Sequence, residues 1–510
     1  MAEAPPVQRR LIYIGFLAAC VATRLATTIY YVEDTDSLRF ALSVYDGFDV
    51  AALQPHFPGY PVFWAAAKAF YVLGGSFAVA FSLVGGLATF AVIYFCLRLA
   101  GRDPLSIEGM AIAFILFFNP MIWLLGNRYM PDLMGLAVAL AALSTLTVAA
   151  ASPKASDVRT SASGFLTGTS GLLTGTSGFL TGLLGGTRLS YGPLVLPAYL
   201  LQLRVGPLRL AAWTLAGAGI WIIPMLMDTG WSALVASALQ QTEGHFTEFG
   251  GTVETNPDLS VRTVRFVESV WADGFGAWWP ARHWITGIVS AGLTISAAAA
   301  LWSYRVDRTT RHDRTNRPGR TTRAGRTTSS PSAPRFRLLV VSALTYAVWI
   351  FLFQNVIYKS RHVLPLVAFA AIPIGIGLAA LVRRPRLESR VAAAVFALAY
   401  VTATFVVVAQ HREPTAIAQT KEYVQEAAPA YIASIPLVNF YLSAHGVEAT
   451  YLSVQDESDR ERMGGVKGKM IVIGHYPEIM NLDPVSADTF YHNPYVNRMW
   501  AEVRAFEYDK

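Results

Sequence analysis

The feature that most constrains this chain is a series of apolar runs separated by short arginine-bearing connections. A helix needs roughly 20 apolar residues to cross a bilayer, with about 17 as a lower limit. Eleven stretches meet or approach that length: Leu11–Tyr31, Phe77–Ala100, Met110–Gly126, Leu133–Ala151, Gly164–Gly186, Gly192–Leu203, Leu210–Met227, Trp284–Tyr304, Leu338–Ile357, Val363–Val382 and Val391–Ala409. Hydrophobic residues make up 53% of the 510 and charged ones only 15%, which excludes an ordinary soluble globule. The expected fold is an all-α polytopic membrane protein with about eleven transmembrane helices over 1–410, followed by a small C-terminal α/β domain over 411–510. Gly192–Leu203 is the shortest run, and if it does not span, the sides of all later connections invert.

Charge placement orients the runs. With Arg9 and Arg10 in the cytoplasm, alternation puts Arg98 and Arg102, Lys154 and Arg159, Arg204 and Arg209, the 305–337 linker, and Arg383, Arg384, Arg386 and Arg390 on that same side. Basic residues concentrate on the cytoplasmic side of membrane proteins. The net charge of +7 therefore reads as topology, and no nucleic-acid partner is implied. No small-residue cleavage site follows the first run, which favours a retained helix. Cys20 and Cys96 lie inside apolar runs, arguing against a disulfide framework or cysteine metal site. The Arg/Thr-rich linker 305–337 has no apolar face and is expected to be disordered. Pro61–Gly74 is too short to span and is expected to lie in the interface. The stretch "SGFLTGTSGLLTGTSGFLTGLLGG" pairs Gly164 with Gly168, Gly171 with Gly175 and Gly178 with Gly182. Such spacing permits close helix contact, although a duplicated low-complexity insert would look the same.

The same count brings polar and ionisable residues from five connections to the outer side. They are Glu33, Asp34, Asp36, Arg39 and His56 in the first outer loop (32–76); Asn127, Arg128 and Asp132; Arg188 and Tyr191; the 228–283 loop with His245; and Lys359, Arg361 and His362. Charges at helix ends facing one side point to a shared cavity. After Asp36, residues Leu38, Ala41, Leu42 and Tyr45 recur at helical spacing, predicting an amphipathic helix in the interface. Asp36 would sit in its first turn, where the helix dipole favours an ionised carboxylate able to act as a general base. Taken alone, Asp34 or Asp36 would be a plain N-cap. Together they form a D-x-D that would suit a divalent ion. The preferred reading is metal-free, with His56, Arg128, Arg188, Lys359 and Arg361 binding a phosphate directly. From His411 the chain turns polar, with a helical pattern at Thr415–Ala428 and strand-like runs at Val438–Leu442, Ala449–Val454 and Met470–Ile473.

These motifs resemble the GT-C superfamily of membrane glycosyltransferases, above all the aminoarabinose transferases and protein O-mannosyltransferases. "DSLRFA" is similar to that family's acid-led first-loop motif at Asp36, Arg39, Phe40 and Ala41, while Ser37 departs from its second acid. "NRYMPD", "GTRLSYGP" and "YKSRHVLPLV" resemble its later outer-side acid and basic motifs. The resemblance implies transfer of a sugar from a polyprenyl-phosphate carrier to a hydroxyl-bearing acceptor, lipid, glycan or protein. It also implies a site on the outer face of the cytoplasmic membrane, with Asp36, and Asp34 beside it, as the catalytic acids. Arg39, His56, Arg128, Asp132, Arg188, Tyr191, His245, Lys359, Arg361 and His362 would contact the substrates, and no cofactor is required beyond an optional divalent metal. A transporter or flippase for a lipid-linked or anionic substrate is the alternative; it would hold its charges nearer the bilayer midplane.

Overall fold

The computed structural model describes residues 6–150, 169–248, 250–315, 333–480 and 482–509. Helices run in the order α1 (Pro6–Ala26), α2 (Thr35–Tyr45), α3 (Pro61–Gly74), α4 (Phe77–Ala100), α5 (Ile107–Phe117), α6 (Pro120–Leu125), α7 (Asp132–Ala150), α8 (Thr169–Arg188), α9 (Gly192–Leu203), α10 (Pro207–Thr229), α11 (Trp231–Thr247), α12 (Leu259–Glu268), α13 (Ile285–Thr315), α14 (Ala333–Phe353), α15 (Leu364–Arg383) and α16 (Leu387–His411). Seven helices among the described residues are long and apolar enough to cross a membrane. The other four predicted runs are helical too, but each falls short for a physical reason. The α1 helix carries Arg9, Arg10 and Arg24, α8 is rich in glycine and threonine, α9 has 12 residues, and Met110–Gly126 is broken in two. That break follows from Pro120, which has no N–H to donate. Asn119 restarts the helix, its side chain accepting from the Ile122 amide at 3.0 Å.

The main core joins Leu136, Leu140 and Leu143 of α7, Ile112 and Leu116 of α5, Leu293 of α13, Val367 and Ala371 of α15 and Phe396 of α16. Arg24 is fully buried in α1 without a carboxylate; its guanidinium lies 4.1 Å from the Trp123 ring and bonds the Phe117 carbonyl. Ring faces and carbonyls thus offset the burial of this charge. Another buried arginine, Arg262, donates to the carbonyls of Phe351, Gly251 and Gln354, tying the 250–262 segment to the end of α14.

The glycine repeat is a helix contact. A Cβ on Gly178 would lie 2.6 Å from the Leu210 carbonyl oxygen, and one on Gly182 would strike that of Thr214. Both atoms belong to α10. Gly164 and Gly168 lie outside the described residues. A Gly182→Leu substitution is expected to overpack the α8–α10 contact and destabilise the protein by about 1–3 kcal/mol, read as a lowered melting temperature in detergent. Gly15→Ala, which meets no neighbouring atom, serves as the neutral control. In the 305–337 linker, 305–315 continue α13 and 333–337 open α14, while the expectation of disorder for 316–332 concerns residues outside the description.

After α16 come α17 (Ala416–Ala427), β1 (Tyr431–Ser434), α18 (Pro436–Ala444), β2 (Thr450–Ser453), α19 (Glu457–Gly465), β3 (Lys469–Ile473), β4 (Ser486–Tyr491) and β5 (Glu502–Asp509). The sheet order is β2-β1-β3-β5-β4. The first three strands are parallel, with Tyr431 opposite Thr450 and Met470; β5 runs antiparallel to β3, with Ile473 opposite Ala505. Val438–Leu442, predicted as a strand, is helical. Pro436 opens that helix at its first turn, where its fixed φ favours helix and its missing N–H costs nothing.

The α3 helix has the predicted bounds. The α2 helix differs from expectation because it is buried on two sides. Leu38 packs with Ile417, Val424, Tyr441 and Leu442 of the terminal domain. Phe40, Ala41 and Val44 pack with Tyr60, Phe63, Phe81 and Tyr129 of the membrane body. Of its predicted apolar face, Leu38 and Leu42 meet the terminal domain, Ala41 meets the membrane body and Tyr45 stays exposed.

Candidate active site

Asp34 and Asp36 stand two residues apart but do different work. Asp34 is the N-cap of α2, its carboxylate accepting from the Ser37 amide at 2.8 Å. Asp36, in the first turn, accepts from Lys359 Nζ at 2.8 Å and Arg361 Nη2 at 2.7 Å. Arg361 stands on a tight turn, Ser360–Val363, that opens into α15, and Lys359 immediately precedes that turn. Asp132, the first residue of α7, is fully buried and pairs with Arg188 Nη2 at 2.8 Å, with Arg361 Nε 3.8 Å away. Arg188 ends α8 and donates to the Tyr60 hydroxyl at 3.3 Å. One ion-pair network therefore runs Lys359–Asp36–Arg361–Asp132–Arg188 and draws on four of the five connections. Three cations share two carboxylates in it, so the network carries one positive charge in excess.

A second cluster lies beside the first. Glu33 pairs with Arg128 at 2.7 Å and His411 Nε2 at 3.3 Å. Arg128 also donates to the Val496 carbonyl in the connection between β4 and β5. From the same connection Arg498 pairs with Asp273 at 2.6 Å and Glu268 at 3.4 Å, and the Tyr495 ring lies 3.3 Å from the Arg282 guanidinium. Between the clusters is a cavity of about 20 Å³ bordered by Arg128, Asp273, Ser360, Arg361, Tyr495 and Val496. That is room for roughly one water. The terminal domain thus forms one wall of the site.

The charges tune one another. Burial opposes ionisation of Asp36, but Lys359 and Arg361 outweigh it and hold the carboxyl well below the usual range. Burial and the nearby Asp36 charge raise Asp34. For Glu33, burial is again overcome, here by Arg128 and His411, and the carboxyl is held at about 2. Burial lowers His56 to about 3 despite Asp36, so its ring is neutral near pH 7. Asp273 is pushed up to about 6 by burial, against the pull of Arg498 and Arg282. Strongly perturbed groups in one region mark candidate functional sites.

Of the sequence-predicted residues, Asp36, Asp132, Arg188, Lys359 and Arg361 form the network. Tyr191 is buried with its ring 5.9 Å from the Arg188 guanidinium, and Arg128 borders the small cavity. His56 stands 3.4 Å from the Tyr60 hydroxyl. Arg39 lies over the Phe440 ring at 5.6 Å, turned toward the terminal domain. His245 contacts the Phe353 carbonyl at 2.7 Å, and the His362 carbonyl accepts from Tyr346. Sequence reasoning missed Tyr60, Glu268, Asp273, His411 and Arg498. Asp273, an acid inside the aromatic stretch "WADGFGAWW", carried a visible signal; Arg498, in a tail without motif, did not.

No protein-family model and no curated protein sequence matches the chain. Among solved structures, ArnT from Cupriavidus metallidurans bound to undecaprenyl phosphate is 11% identical, with a TM-score of 0.51 and 98% of each chain covered. The same protein in its apo state gives 0.48 at 11% identity, over 96% of this chain and 97% of that one. An Archaeoglobus fulgidus oligosaccharyltransferase tethered with an acceptor peptide gives 0.49 at 11% identity, over 92% of this chain and 69% of that one. Identity this low speaks to fold alone. Over nearly its whole length the chain has the fold of the Cupriavidus ArnT structure.

Proposed function

We propose that this protein is a membrane glycosyltransferase that moves a sugar from a polyprenyl-phosphate carrier to a hydroxyl acceptor, with its site on the extracytoplasmic face. The observation that carries the reading is the Lys359–Asp36–Arg361–Asp132–Arg188 network. It pairs a candidate base with an excess of cations at the ends of apolar helices. The fold it is built on is shared with a protein whose structure holds undecaprenyl phosphate.

The acceptor oxygen attacks the anomeric carbon while the bond from that carbon to the phosphate oxygen breaks. The acceptor proton passes to Asp36, and the electron pair leaves on the lipid phosphate. Arg361, Lys359 and Arg188 stabilise that developing charge, usually the largest contribution in such reactions. A carboxylate held by two cations is a feeble base. An arriving phosphate draws Lys359 and Arg361 toward itself, which raises the basicity of Asp36 when the donor is bound. A site at the membrane boundary lets the isoprenoid stay among the helices while the sugar meets a polar pocket.

The test is transfer of labelled sugar from synthetic polyprenyl-phosphate hexose and pentose donors by protein reconstituted in vesicles. Arg361→Ala is expected to lower kcat about 10²- to 10³-fold, the range for losing one charge-stabilising donor. Wild-type protein that transfers neither sugar to lipid, glycan or peptide acceptors would overturn the reading.

A further inference from the structure

The terminal domain holds a second candidate site. From β1 the chain crosses by α18 to β2 on one side, and then by α19 to β3 on the other. Residues of α18 pack with Ile432, Ile471 and Val503, whereas Met463 of α19 packs with Ala433, Met470 and Val472 on the opposite face. The two connections diverge, and a gap opens beyond the carboxyl ends of β1 and β3. Open α/β sheets bind ligands at such switch points. A cavity of about 270 Å³ lies there, with Ser434 at the end of β1, His475 and Tyr476 after β3, and Trp500, Glu502 and Arg504 at the start of β5.

The lining specifies a chemistry. Tyr476, partly exposed, offers a flat apolar face with a polar edge, and the largely buried Trp500 lines the wall with Val503. Glu502 and Arg504, both partly exposed, stand 2.7 Å apart. Their opposite charges offset each other, so the crevice has no surplus to attract a phosphate. Each group keeps free donors or acceptors for hydroxyls, and the exposed His475 adds more. An aromatic face beside a charge-balanced set of hydrogen-bonding groups suits a neutral sugar ring.

We propose that this crevice is a saccharide-binding subsite that holds a distal, unreacting sugar of a glycan acceptor. Its β5 residues continue directly from Tyr495, Val496 and Arg498, which wall the candidate active site. A sugar in the crevice is thereby anchored beside the connection that borders the reacting centre. The acceptor role rests on the transferase reading; the binding itself does not.

The experiment is saturation-transfer NMR on the full-length protein in lipid nanodiscs. The probes are linear neutral hexose and pentose oligosaccharides, with hexuronic acid oligomers as charged controls. Neutral oligosaccharides are expected to bind. Arg504→Ala and Tyr476→Ala should each weaken binding tenfold or more at unchanged melting temperature, and Asp36→Asn should leave it intact. Absence of binding by every neutral probe, equal binding by wild type and both variants, or a preference for the uronic acids would overturn the subsite. Binding that tracks the crevice in a protein that transfers no sugar would refute the transferase reading alone.

Discussion

Asp36→Asn is expected to lower sugar transfer by about 10²- to 10⁴-fold, the usual contribution of a positioned general base. Asparagine keeps the shape and still accepts hydrogen bonds from Lys359 and Arg361, so the loss should fall on kcat rather than on folding. It removes the proton acceptor, and it also leaves the two cations without their negative partner. Donor affinity is therefore expected to hold or rise while turnover collapses. A variant with more than a third of wild-type kcat would remove Asp36 from the chemistry. So would a loss confined to KM. In the free protein, Lys359 and Arg361 hold the Asp36 carboxyl well below its ordinary range, so its titration should not set the acid side of the kcat/KM profile above about pH 4.

The largest stability effect is expected at Glu33. Its side chain is fully buried against Arg128 and His411, and Glu33→Ala leaves the largely buried Arg128 charge without its carboxylate. Removing one partner of a buried pair costs about 3–5 kcal/mol. The Glu33→Ala/Arg128→Met double variant should recover much of that, because the stranded charge is gone. Failure of the double variant to unfold at a higher temperature than the single one would assign the loss to packing. Folding lowers the Glu33 pKa, from the ordinary carboxyl value near 4.3 to about 2. Its stabilising contribution is thus complete above about pH 4.5 and disappears as the pH falls toward about 2. In Glu33→Ala that part of the acid dependence should be absent.

How much of this was legible beforehand depended on which force fixed each element. Seven of the eleven apolar runs were readable as spans among the described residues, because lipid contact needs length, and Pro61–Gly74 carries its own stop and start, whereas Pro120 splits Met110–Gly126. The gathering of Asp36, Asp132, Arg188, Lys359 and Arg361 was readable for a related reason: ionised groups at the ends of apolar helices are costly and collect on one side. Which cation serves which acid was not. Asp36 meets Lys359 across 323 positions of chain, and only packing decides that. A helical period gives one buried face, so nothing in "DSLRFALSVY" announced that α2 would be covered from two directions. Val438–Leu442 misled because its valine, phenylalanine and tyrosine favour strands, while the preceding Pro436 and the surrounding tertiary contacts dictate helix. The terminal domain's hold on the site, through Arg498 and Tyr495, depends on long-range pairs and had no local signature.

The double burial of α2 bears on how such a protein can be divided. The Thr415 hydroxyl donates to the Glu33 carbonyl at 3.0 Å and the Tyr441 hydroxyl to that of Val32 at 2.7 Å. The segment that presents Asp36 is therefore mortised into residues encoded some 400 positions later. A graft or truncation made at residue 411 cuts through one folding unit: it strips the cover from Leu38 and frees the acid to drift from its cations. The working seam lies on either side of α2, and modules exchanged between such proteins must carry that helix together with its distant lid.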